Sequence, residues 1–352
     1  MKKLNPLASD LNFILDHTQP YWSELKNQSI FITGGTGFFG CWLLESLLWA
    51  NQKFHLNCSV CVLTRDIEAF KRKSPHLASD PLLRFHRGDV RDFTFPEGTF
   101  SHIIHAATEA SAQLNREQPE IMFGTITKGM RHVLDFAKHC SAKKLLFTSS
   151  GAVYGVQPPN VSFLSELYEG DPKNMGEKAP YGAAKKMAEE LCIRAANASS
   201  LEVKIARCFA FIGPYLPLDT HFAIGNFILA GLHHEPIHIQ GDGTPYRSYL
   251  YAADLMIWLW TILFRGENKR SYNVGSDRAI SIAQLAHVVA GAFEPSVKVE
   301  ISKKPILGRP ADRYVPSIER ARKELGLQQR VSLLEAIQKT KVWYSRKLKI
   351  ED

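Results

Sequence analysis

The chain has 352 residues, of which 45% are hydrophobic and 22% charged, a balance typical of a globular protein with one large domain or two unequal ones. Its net charge of +8 suits anionic ligands, but no basic run is interleaved with aromatic residues, so we expect no binding to nucleic acid. The longest apolar run, Leu255 to Phe264, is too short to cross a bilayer, and the N-terminus lacks a secretory apolar stretch, so we expect a cytoplasmic protein with no membrane contact.

Residues 1–27 form a polar extension whose apolar residues recur at helical spacing, which predicts a helix packed on the main body. These residues are Leu7, Leu11, Ile14 and Leu15. From residue 29 onward, short β-branched runs alternate with segments of helical period, a pattern typical of βαβ units and a parallel sheet. The predicted strands are Ile30–Thr33, Val60–Thr64, Leu83–His86, His102–Ala106, Lys144–Ser149 and Val203–Phe209, and the helices between them include Phe39–Ala50, Pro119–Cys140 and Tyr181–Ala198.

A smaller second lobe is predicted to begin near residue 214. After Gly213-Pro214 the sequence changes to loops containing Gly, Pro and His, with shorter helices. Two of these helices have capping boxes, Ser281 with Gln284 and Ser332 with Glu335. A third helix, residues 317–325, is expected to end at a glycine, Gly326.

A glycine-rich turn follows the first predicted strand. The strand leads directly into Gly34-Gly-Thr-Gly-Phe-Phe-Gly40, and an amphipathic helix follows. Any Cβ at these glycines would hold the backbone away from a pyrophosphate, which the first N–H groups of the helix bind. The strand, the spacing and the helix together predict a dinucleotide site. The predicted cofactor contacts in this turn are Gly34, Thr36, Gly37, Phe38, Phe39 and Gly40.

The end of the second strand bears on the choice of dinucleotide, because the adenosine ribose lies there. An acidic residue accepts hydrogen bonds from a free 2′-hydroxyl, whereas an arginine receives a 2′-phosphate. Thr64 and Arg65 favour NADP, while Asp66, slightly later, could serve NAD, so the predicted cofactor is NADP or NAD with NADP favoured. Asp89 and Val90, after the third strand, are predicted to hold the adenine.

A tyrosine and a lysine open the helix predicted after Pro180. Of the eleven tyrosines, only Tyr181 has a lysine four residues later, Lys185, and this spacing puts both side chains on one helix face. A phenol with a pKa near ~10 is a poor base, but an adjacent ammonium would stabilise the phenolate and lower that pKa. Tyr181 would then exchange a hydroxyl proton while hydride moves to or from a nicotinamide. The hydroxyl-rich segment 147–155 ends a strand at the ligand-binding edge of such a sheet.

These residues resemble the extended short-chain dehydrogenases/reductases of the nucleotide-sugar epimerase/dehydratase family over about residues 29–344. The matching positions are Gly34, Gly37, Gly40, Asp89-Val90, His105–Ala107, Ser149-Ser150, Tyr181, Lys185, Gly213-Pro214, Gly241–Gly243, Arg247, Arg309-Pro310 and Asp312. The resemblance implies that Ser150 is the catalytic hydroxyl, bonded to the reacting sugar oxygen, beside Tyr181 and Lys185. It also implies cofactor contacts from Ala106, Ala107, Thr108 and Ser149, together with Tyr181 and Lys185.

The residues after Ser150 depart from several members of the family. Members that eliminate water carry an Asp-Glu pair there, decarboxylases carry a Glu, and enzymes that epimerise carbons 3 and 5 carry a Cys at the second position. This chain has Gly151-Ala152, and neither residue can move a proton. The remaining reactions need only hydride and one proton relay: epimerisation at carbon 4 through a transient ketone, or reduction of a 4-keto sugar.

The resemblance also implies a site for the diphosphate of a nucleotide-sugar. Arg247 and Arg309 match the phosphate-binding arginines of the family, and a guanidinium fork suits a phosphate. Each arginine alone would more often be a surface residue. Two departures weaken the match, because Ala210 stands where the family usually has a diphosphate-binding Asn, and Ser248 replaces the Asp after the first arginine.

The histidines of the second lobe do not predict a metal site. Two of them are adjacent and cannot easily converge on one ion, and no carboxylate is suitably spaced. His221 could instead line the sugar pocket with Asn226, although a solvent-facing helix start accounts equally well for both. Cys58 and Cys61 have the spacing of a zinc knuckle but point to opposite sides of a strand, and no second pair follows. The histidines are His221, His233, His234 and His238.

We therefore predict an α/β protein with a doubly wound parallel Rossmann sheet and a smaller C-terminal lobe. The N-terminal extension is expected at 1–27 and the NAD(P)-binding domain with the catalytic residues at 28–213. The nucleotide-sugar lobe is expected mainly at 214–352, and its segments are interleaved with those of the NAD(P)-binding domain. The substrate would lie in the cleft between the lobes. The resemblance implies a homodimer paired through helices Pro119–Cys140 and Tyr181–Ala198.

Three functions remain from the sequence. The first is a nucleotide-sugar 4-epimerase, indicated by the intact set of Ser150, Tyr181 and Lys185. The second is an NADPH-dependent 4-ketoreductase, favoured by Thr64 and Arg65. The third is a catalytically silent dinucleotide-sensing regulator, although such proteins typically lack the tyrosine or the lysine that this chain keeps.

Overall fold

The computed structural model describes residues 5–108, 117–220 and 222–351, without the side chains of residues 177–178 and 347–351. The chain forms two compact units, each built from three segments. The first unit comprises Met1–Gly155, Glu169–Cys208 and Met256–Tyr272. The second comprises Val156–Tyr168, Phe209–Leu255 and Asn273–Asp352.

The first unit alternates strands and helices along the chain. Its strands are β1 (Ser29–Thr33), β2 (Ser59–Thr64), β3 (Leu83–Arg87), β4 (His102–His105), β5 (Lys144–Ser150) and β6 (Glu202–Cys208). Its helices are α1 (Ala8–Thr18), α2 (Phe38–Phe54), α3 (Ile67–Lys73), α4 (Pro75–Ala78), α5 (Pro119–His139) and α6 (Ala179–Asn197), with 3-10 helices at Gln19–Leu25, Gly151–Tyr154 and Pro172–Lys178. Every strand predicted from the sequence is present, with each end within one residue.

The remaining strands are short, and the helices between them vary in length. They are β7 (Phe211–Ile212), α7 (Ala223–Leu232), β8 (Ile237–Ile239), β9 (Tyr246–Arg247), β10 (Leu250–Tyr251), α8 (Ala252–Arg265), β11 (Arg270–Val274), β12 (Ile280–Ser281), α9 (Ile282–Ala290), β13 (Val299–Ile301), α10 (Glu319–Leu325) and α11 (Leu333–Glu351). The capping box of Ser281 and Gln284 forms at the start of α9, and α10 ends at Gly326 in a left-handed conformation, as predicted. At the start of α11, the backbone N–H of Glu335 donates to the Ser332 hydroxyl.

Seven strands form one sheet in the order β11-β6-β5-β4-β1-β2-β3. Neighbouring strands from β6 to β3 all pair in parallel. The strand order reverses between β1 and β4, so their carboxyl ends flank the crevice where open α/β sheets bind ligands. The doubly wound α/β fold is therefore confirmed, and β11 is an additional edge strand.

A continuous apolar core joins one face of the sheet to helices α5 and α6. Phe31 of β1 and Phe147 of β5 are fully buried in it, with Phe136 of α5 between the layers. The ring centroids of Phe31 and Phe136 are 4.6 Å apart. Because α6 is packed against this core, the position of Tyr181 and Lys185 relative to the sheet is fixed.

The N-terminal extension packs through the apolar residues whose spacing predicted a helix. Leu11 and Ile14 of α1 are fully buried. Trp22, in the 3-10 helix that follows, donates a hydrogen bond from Nε1 to the Thr18 hydroxyl at 2.9 Å, and its ring lies 4.9 Å from that of Trp260. In the described parts of the chain, no helix is both long and apolar enough to span a bilayer.

Candidate active site

The glycine turn after β1 leaves almost no room for side chains on its protein side. Gly34 has a φ of +72°, and a Cβ there would lie 2.6 Å from the backbone of Ala106. A Cβ at Gly40 would lie 2.2 Å from the backbone of Gly35. Gly37, in contrast, is exposed, and a Cβ there would meet nothing closer than 3.5 Å. The turn is therefore tightly packed on its protein side, at Gly34 and Gly40, and open to solvent at Gly37, as a bound pyrophosphate requires.

Helix α2 begins directly above this open side. Its N-cap is Gly37, and no side chain caps the first turn, so the positive end of the helix is not occupied by a capping oxygen. The rings of Phe38 and Phe39 contact each other edge to face, with centroids 5.7 Å apart. The Thr36 carbonyl accepts a hydrogen bond from the Lys73 ammonium at 3.1 Å. These residues fit a dinucleotide held at the start of α2.

The end of β2 presents a basic rather than an acidic side chain. Arg65 is exposed, and its charge acts on Asp89. Asp66 is the N-cap of α3, and one of its carboxylate oxygens accepts the Ala69 N–H at 2.9 Å. Thr64 is buried, and its hydroxyl lies 3.3 Å from the backbone nitrogen of Asp66. The acidic side chain nearest to β2 is thus partly engaged in capping a helix.

The segment after β3 is held by an arginine. Arg91 donates to both carboxylate oxygens of Asp89, at 2.8 and 3.1 Å, and this bonding keeps the pKa of Asp89 below its ordinary value. Val90 contacts α5, because a Cβ on Gly129 would lie 3.0 Å from its side chain. Asp89 therefore has its own ion-pair partner, and Val90 packs against a helix.

The segment after β4 connects the strand before the glycine turn to Lys185 of α6. The N–H of Ala106 donates to the Thr33 carbonyl at 3.1 Å, and the N–H of Ala107 donates to the Thr33 hydroxyl at 3.2 Å. The next residue, Thr108, accepts a hydrogen bond from the Lys185 ammonium at 2.6 Å. The end of β4 is in this way fixed both to β1 and to α6.

Ser150, Tyr181 and Lys185 come together at the carboxyl end of β5. The Ser150 side chain forms a hydrogen bond with the Tyr181 phenol. The Lys185 ammonium donates to the Thr148 carbonyl at 2.8 Å and lies 5.9 Å from the centre of the Tyr181 ring. Lys185 is almost fully buried at 1% exposure. A hydroxyl, a phenol and an ammonium are thus adjacent, as the sequence predicts.

Burial controls the protonation of this set. Desolvation raises the pKa of Tyr181 to about 12, against the opposing effect of its hydrogen bond with Ser150. Desolvation also lowers the pKa of Lys185 to about 8. The predicted lowering of the Tyr181 pKa is therefore wrong for the protein groups alone, because burial of the phenol is the largest effect and raises the pKa.

Ser149, the residue before Ser150 in β5, also contacts α6. Its hydroxyl donates to Glu189 of α6 at 2.5 Å. Glu189 in turn accepts from Arg207 at the end of β6, and Arg207 donates to the Tyr154 hydroxyl at 2.9 Å. The sequence analysis missed this buried network. Only the position of Glu189, one helical turn after Lys185, could have indicated it.

The two residues after Ser150 are buried in the 3-10 helix Gly151–Tyr154. The Ala152 N–H donates to the Ser150 hydroxyl oxygen at 3.2 Å. A Cβ on Gly182 would lie 2.5 Å from the Ala152 carbonyl oxygen, so α6 packs directly on this turn. The turn orients Ser150 but supplies no group that exchanges protons.

The predicted substrate residues lie in the second unit. Arg247 is partly buried and donates to the Tyr246 carbonyl at 2.7 Å. Arg309 is exposed, as is Asn226 on α7. His221 lies outside the described residues. Ala210 takes part through its backbone, since its carbonyl accepts the Leu250 N–H at 3.0 Å.

The described segments contain no candidate metal site. No group of three or more His, Cys, Asp or Glu side chains is placed there to hold an ion. His238 lies 3.1 Å from Glu300 in a surface pair. Cys58 and Cys61 are both buried and unbridged in β2, and burial raises their pKa values, to about 12 for Cys58 and about 11 for Cys61.

The chain is similar to known proteins over most of its length. The model of the "NAD dependent epimerase/dehydratase family" matches residues 30–275. UDP-glucuronic acid decarboxylase 1 of Arabidopsis thaliana is 30% identical over 312 residues, covering 89% of this chain and 68% of that protein. The crystal structure of UDP-glucose 4-epimerase from Thermotoga maritima, with UDP-glucose, superposes with a TM-score of 0.77 at 22% identity, covering 91% of this chain and 100% of that one. WbmF of Bordetella bronchiseptica, in complex with NAD+ and UDP, superposes with a TM-score of 0.73 at 22% identity, covering 93% and 95%.

Proposed function

The chain belongs to the NAD dependent epimerase/dehydratase family of extended short-chain dehydrogenases/reductases, and from this premise we propose that it is a 4-epimerase of nucleoside-diphosphate hexoses. Membership makes it an NAD-dependent enzyme that modifies a nucleotide-bound sugar. The observation that carries the finer proposal is the contrast between the hydrogen-bonded pair of Ser150 and Tyr181 and the inert turn after it, Gly151-Ala152.

The proton chemistry follows from the contacts of Tyr181. With a pKa raised to about 12, the phenol is protonated at neutral pH in the protein alone. After losing that proton, the phenolate would take the proton of the C4 hydroxyl as hydride leaves carbon 4, and the phenol so formed would return the proton to the ketone oxygen as hydride comes back to the opposite face. Ser150 would hold the sugar oxygen beside it, and Lys185 would remain charged at neutral pH. Bound NAD(P) would supply the hydride acceptor and a positive charge that helps the phenol to lose its proton.

Decarboxylation and dehydration are less well supported, although the similar Arabidopsis protein is named a UDP-glucuronic acid decarboxylase. In the family, both reactions use a carboxylate in the two positions after the catalytic hydroxyl residue, where this chain has Gly151-Ala152. The carboxylate nearest to Lys185 along the same helix face is Glu189, which is already ion-paired with Arg207 at 2.7 Å. It is therefore poorly suited to act as a second acid or base.

A 4-ketoreductase is the second candidate, because Arg65 lies at the end of β2 while Asp66 caps a helix. An arginine there would receive the 2′-phosphate of NADPH. Arg65→Ala is expected to weaken NADPH binding about tenfold and leave NADH binding unchanged, as measured by fluorescence titration. Equal loss for both cofactors would remove the support for NADP.

The deciding experiment follows sugar and cofactor together. The purified protein is incubated with UDP- and dTDP-hexoses and with UDP-glucuronic acid, and products are identified by NMR. Interconversion of 4-epimers without net change in NAD(P)H supports the epimerase. Stoichiometric NADPH oxidation with a 4-keto sugar indicates the reductase, and release of CO₂ from UDP-glucuronic acid indicates a decarboxylase. Tyr181→Phe should abolish whichever reaction is found, and an unchanged rate would contradict the proposed mechanism.

The phosphate-binding arginines are part of the same proposal. Arg247→Ala and Arg309→Ala should each raise KM for the nucleotide-sugar about tenfold or more with a smaller change in kcat, because a guanidinium binds phosphate equally in the ground and transition states. Arg278→Ala, another exposed arginine of the second unit, is the matched control. Unchanged KM in both variants would remove these residues from the substrate site.

A homodimer and a reducing compartment complete the proposal. Helices α5 and α6 carry the exposed apolar residues Ile121 (48%) and Met187 (43%), a suitable surface for a second copy. Light scattering should give twice the monomer mass, and Met187→Glu should halve it, whereas Val342→Glu on α11 should not. All six cysteines are buried and free, which suits the cytoplasm.

A further inference from the structure

Helix α6 carries a third polar residue in line with the catalytic pair. Tyr181, Lys185 and Glu189 follow one another at intervals of four and share one face of the helix. Each contacts the β5 end: Tyr181 bonds to Ser150, and Lys185 bonds to the Thr148 carbonyl. Glu189 accepts from the Ser149 hydroxyl at 2.5 Å. Three successive helical turns are thus fixed to three successive residues of the strand.

Glu189 is also ion-paired with the neighbouring strand. Its two oxygens accept from Nε and Nη2 of Arg207 at 3.0 and 2.7 Å, a two-pronged geometry, and the Glu189 side chain is only 6% exposed. Burial opposes the charge on Arg207, but its bonds with Glu189 outweigh that effect and its pKa lies above the ordinary value. The pair is therefore a fixed negative and positive charge inside the first unit, one helical turn from Lys185.

The other titratable groups facing Lys185 carry little charge at neutral pH. On α6 they are Tyr181 and Cys192, on β6 Cys208, and on β4 His105. Burial raises the pKa of both thiols, to about 12 for Cys208, and lowers that of His105 to about 3, so all three are neutral. Glu189 is the carboxylate that acts on Lys185 among the described residues.

We propose that Glu189 is a positioning residue that keeps Lys185 protonated and holds its turn of α6 against β5. Glu189 contacts neither reacting group, because its oxygens are taken by Ser149 and Arg207. It acts through Lys185, so this inference rests on the proposed function in which Lys185 serves the reaction. Without the carboxylate, Arg207 would lose its ion-pair partner.

The test is Glu189→Gln, with Glu190→Gln as the matched control. Glu190 is the next residue, but it is 55% exposed and paired with Arg194 on the surface. Loss of the buried negative charge should move the alkaline limb of the pH profile of kcat down by about one pH unit and lower kcat at pH 8 about fivefold. The ε-¹³C resonance of Lys185, assigned with Lys185→Arg, should titrate at correspondingly lower pH in the cofactor-free protein. The control should reproduce the wild type in both measurements.

Two further variants keep the inference testable if Glu189→Gln does not fold. Glu189→Asp retains the charge and should keep the wild-type alkaline limb even where kcat falls. Glu189→Gln combined with Arg207→Met leaves no unmatched charge. The alkaline limb of its pH profile should still move to lower pH, because the charge that acts on Lys185 is that of Glu189, on the same helix face. The inference is overturned if Glu189→Gln, alone or with Arg207→Met, folds and has the same alkaline limb and the same Lys185 titration as the wild type. If Tyr181→Phe retains full activity, the proposed function fails instead.

Discussion

A buried or nearly buried lysine lies at each end of strand β5, Lys144 in the strand itself and Lys185 on the adjacent helix α6, and the two have different partners. At its start, Lys144 lies 2.8 Å from Glu24 of the N-terminal extension, and His102 of β4 contacts the same carboxylate at 2.8 Å. At its end, Lys185 donates only to neutral oxygens, those of Thr108 and Thr148. No salt bridge to Lys185 is found among the residues that the structure describes.

The pKa values follow this difference. Burial opposes the charge of Glu24, but the hydrogen bonds from His102 and Lys144 outweigh it and lower its pKa. At the other end, burial lowers the pKa of Lys185 to about 8. The amino end of the sheet thus has a satisfied charge cluster that contributes to stability. At the carboxyl end, the buried charge of Lys185 destabilises the folded protein, which is typical of a site that uses the charge for chemistry.

Lys185→Met should have the largest effect, and in opposite directions on activity and stability. Activity should fall about a thousandfold, because the variant lacks the charge beside Tyr181. Stability at pH 7 should rise by up to about 3 kcal/mol, the free energy that corresponds to a pKa near 8 instead of 10.5. The unfolded lysine binds its proton more tightly than the folded one. The stability of the wild type should therefore rise toward that of the variant as the pH increases from 8 toward 10.5.

The measurements for this variant are steady-state kinetics and urea unfolding at pH 7 and pH 10. Lys186→Met is the matched control, since Lys186 is exposed and donates only to the Gly170 carbonyl. It should change neither quantity by a measurable amount. A Lys185→Met protein less stable than the wild type at pH 7 would show that its hydrogen bonds outweigh its burial, and the contrast between the two ends would be lost.

Trp22→Ala should have the largest effect at the amino end, and on stability alone. Trp22 is 1% exposed between Trp260 and Phe264, so its truncation should cost about 3 to 4 kcal/mol of unfolding free energy. The activity of the folded fraction should be unchanged, because the residue lies at the opposite end of the sheet from Tyr181. Trp49→Ala, at a partly exposed tryptophan, should cost clearly less in the same urea titration. A fall in kcat for Trp22→Ala would mean that the extension also supports the catalytic end.

The elements of the first unit were predictable where local pattern alone decides the structure. β1 and β5 are apolar runs next to strong breakers, so their ends were predicted within one residue. The edge strand β11 was missed, because Arg270-Ser271 gives it no apolar run and its pairing depends on a distant strand. The capping box at Ser281 was predictable for the same local reason as β1.

The candidate site was predictable only in part, because spacing reports which residues share a face and not how deeply they are buried. The interval from Tyr181 to Lys185 correctly predicted their contact. This interval gave no measure of desolvation, so the predicted direction of the Tyr181 pKa shift was wrong. The partner of Glu189 is Arg207, on another element, and no local pattern links the two.

Glu24→Gln should have the smallest effect, and its pH dependence tests the comparison most directly. Glu24 has a pKa below its ordinary 4.5, so its contribution to stability is present above pH 4.5 and is lost as the pH falls through the lower, folded-state value. Glu24 is partly exposed at 37%, so the cost at pH 7 should be only about 1 kcal/mol. Urea unfolding should show this difference at pH 7 and none at pH 3, with unchanged kcat throughout. Glu68→Gln, which removes an exposed pair with Lys71, should show a smaller difference at pH 7. A cost for Glu24→Gln that persists at pH 3 would mean that packing, and not its charge, stabilises the amino end.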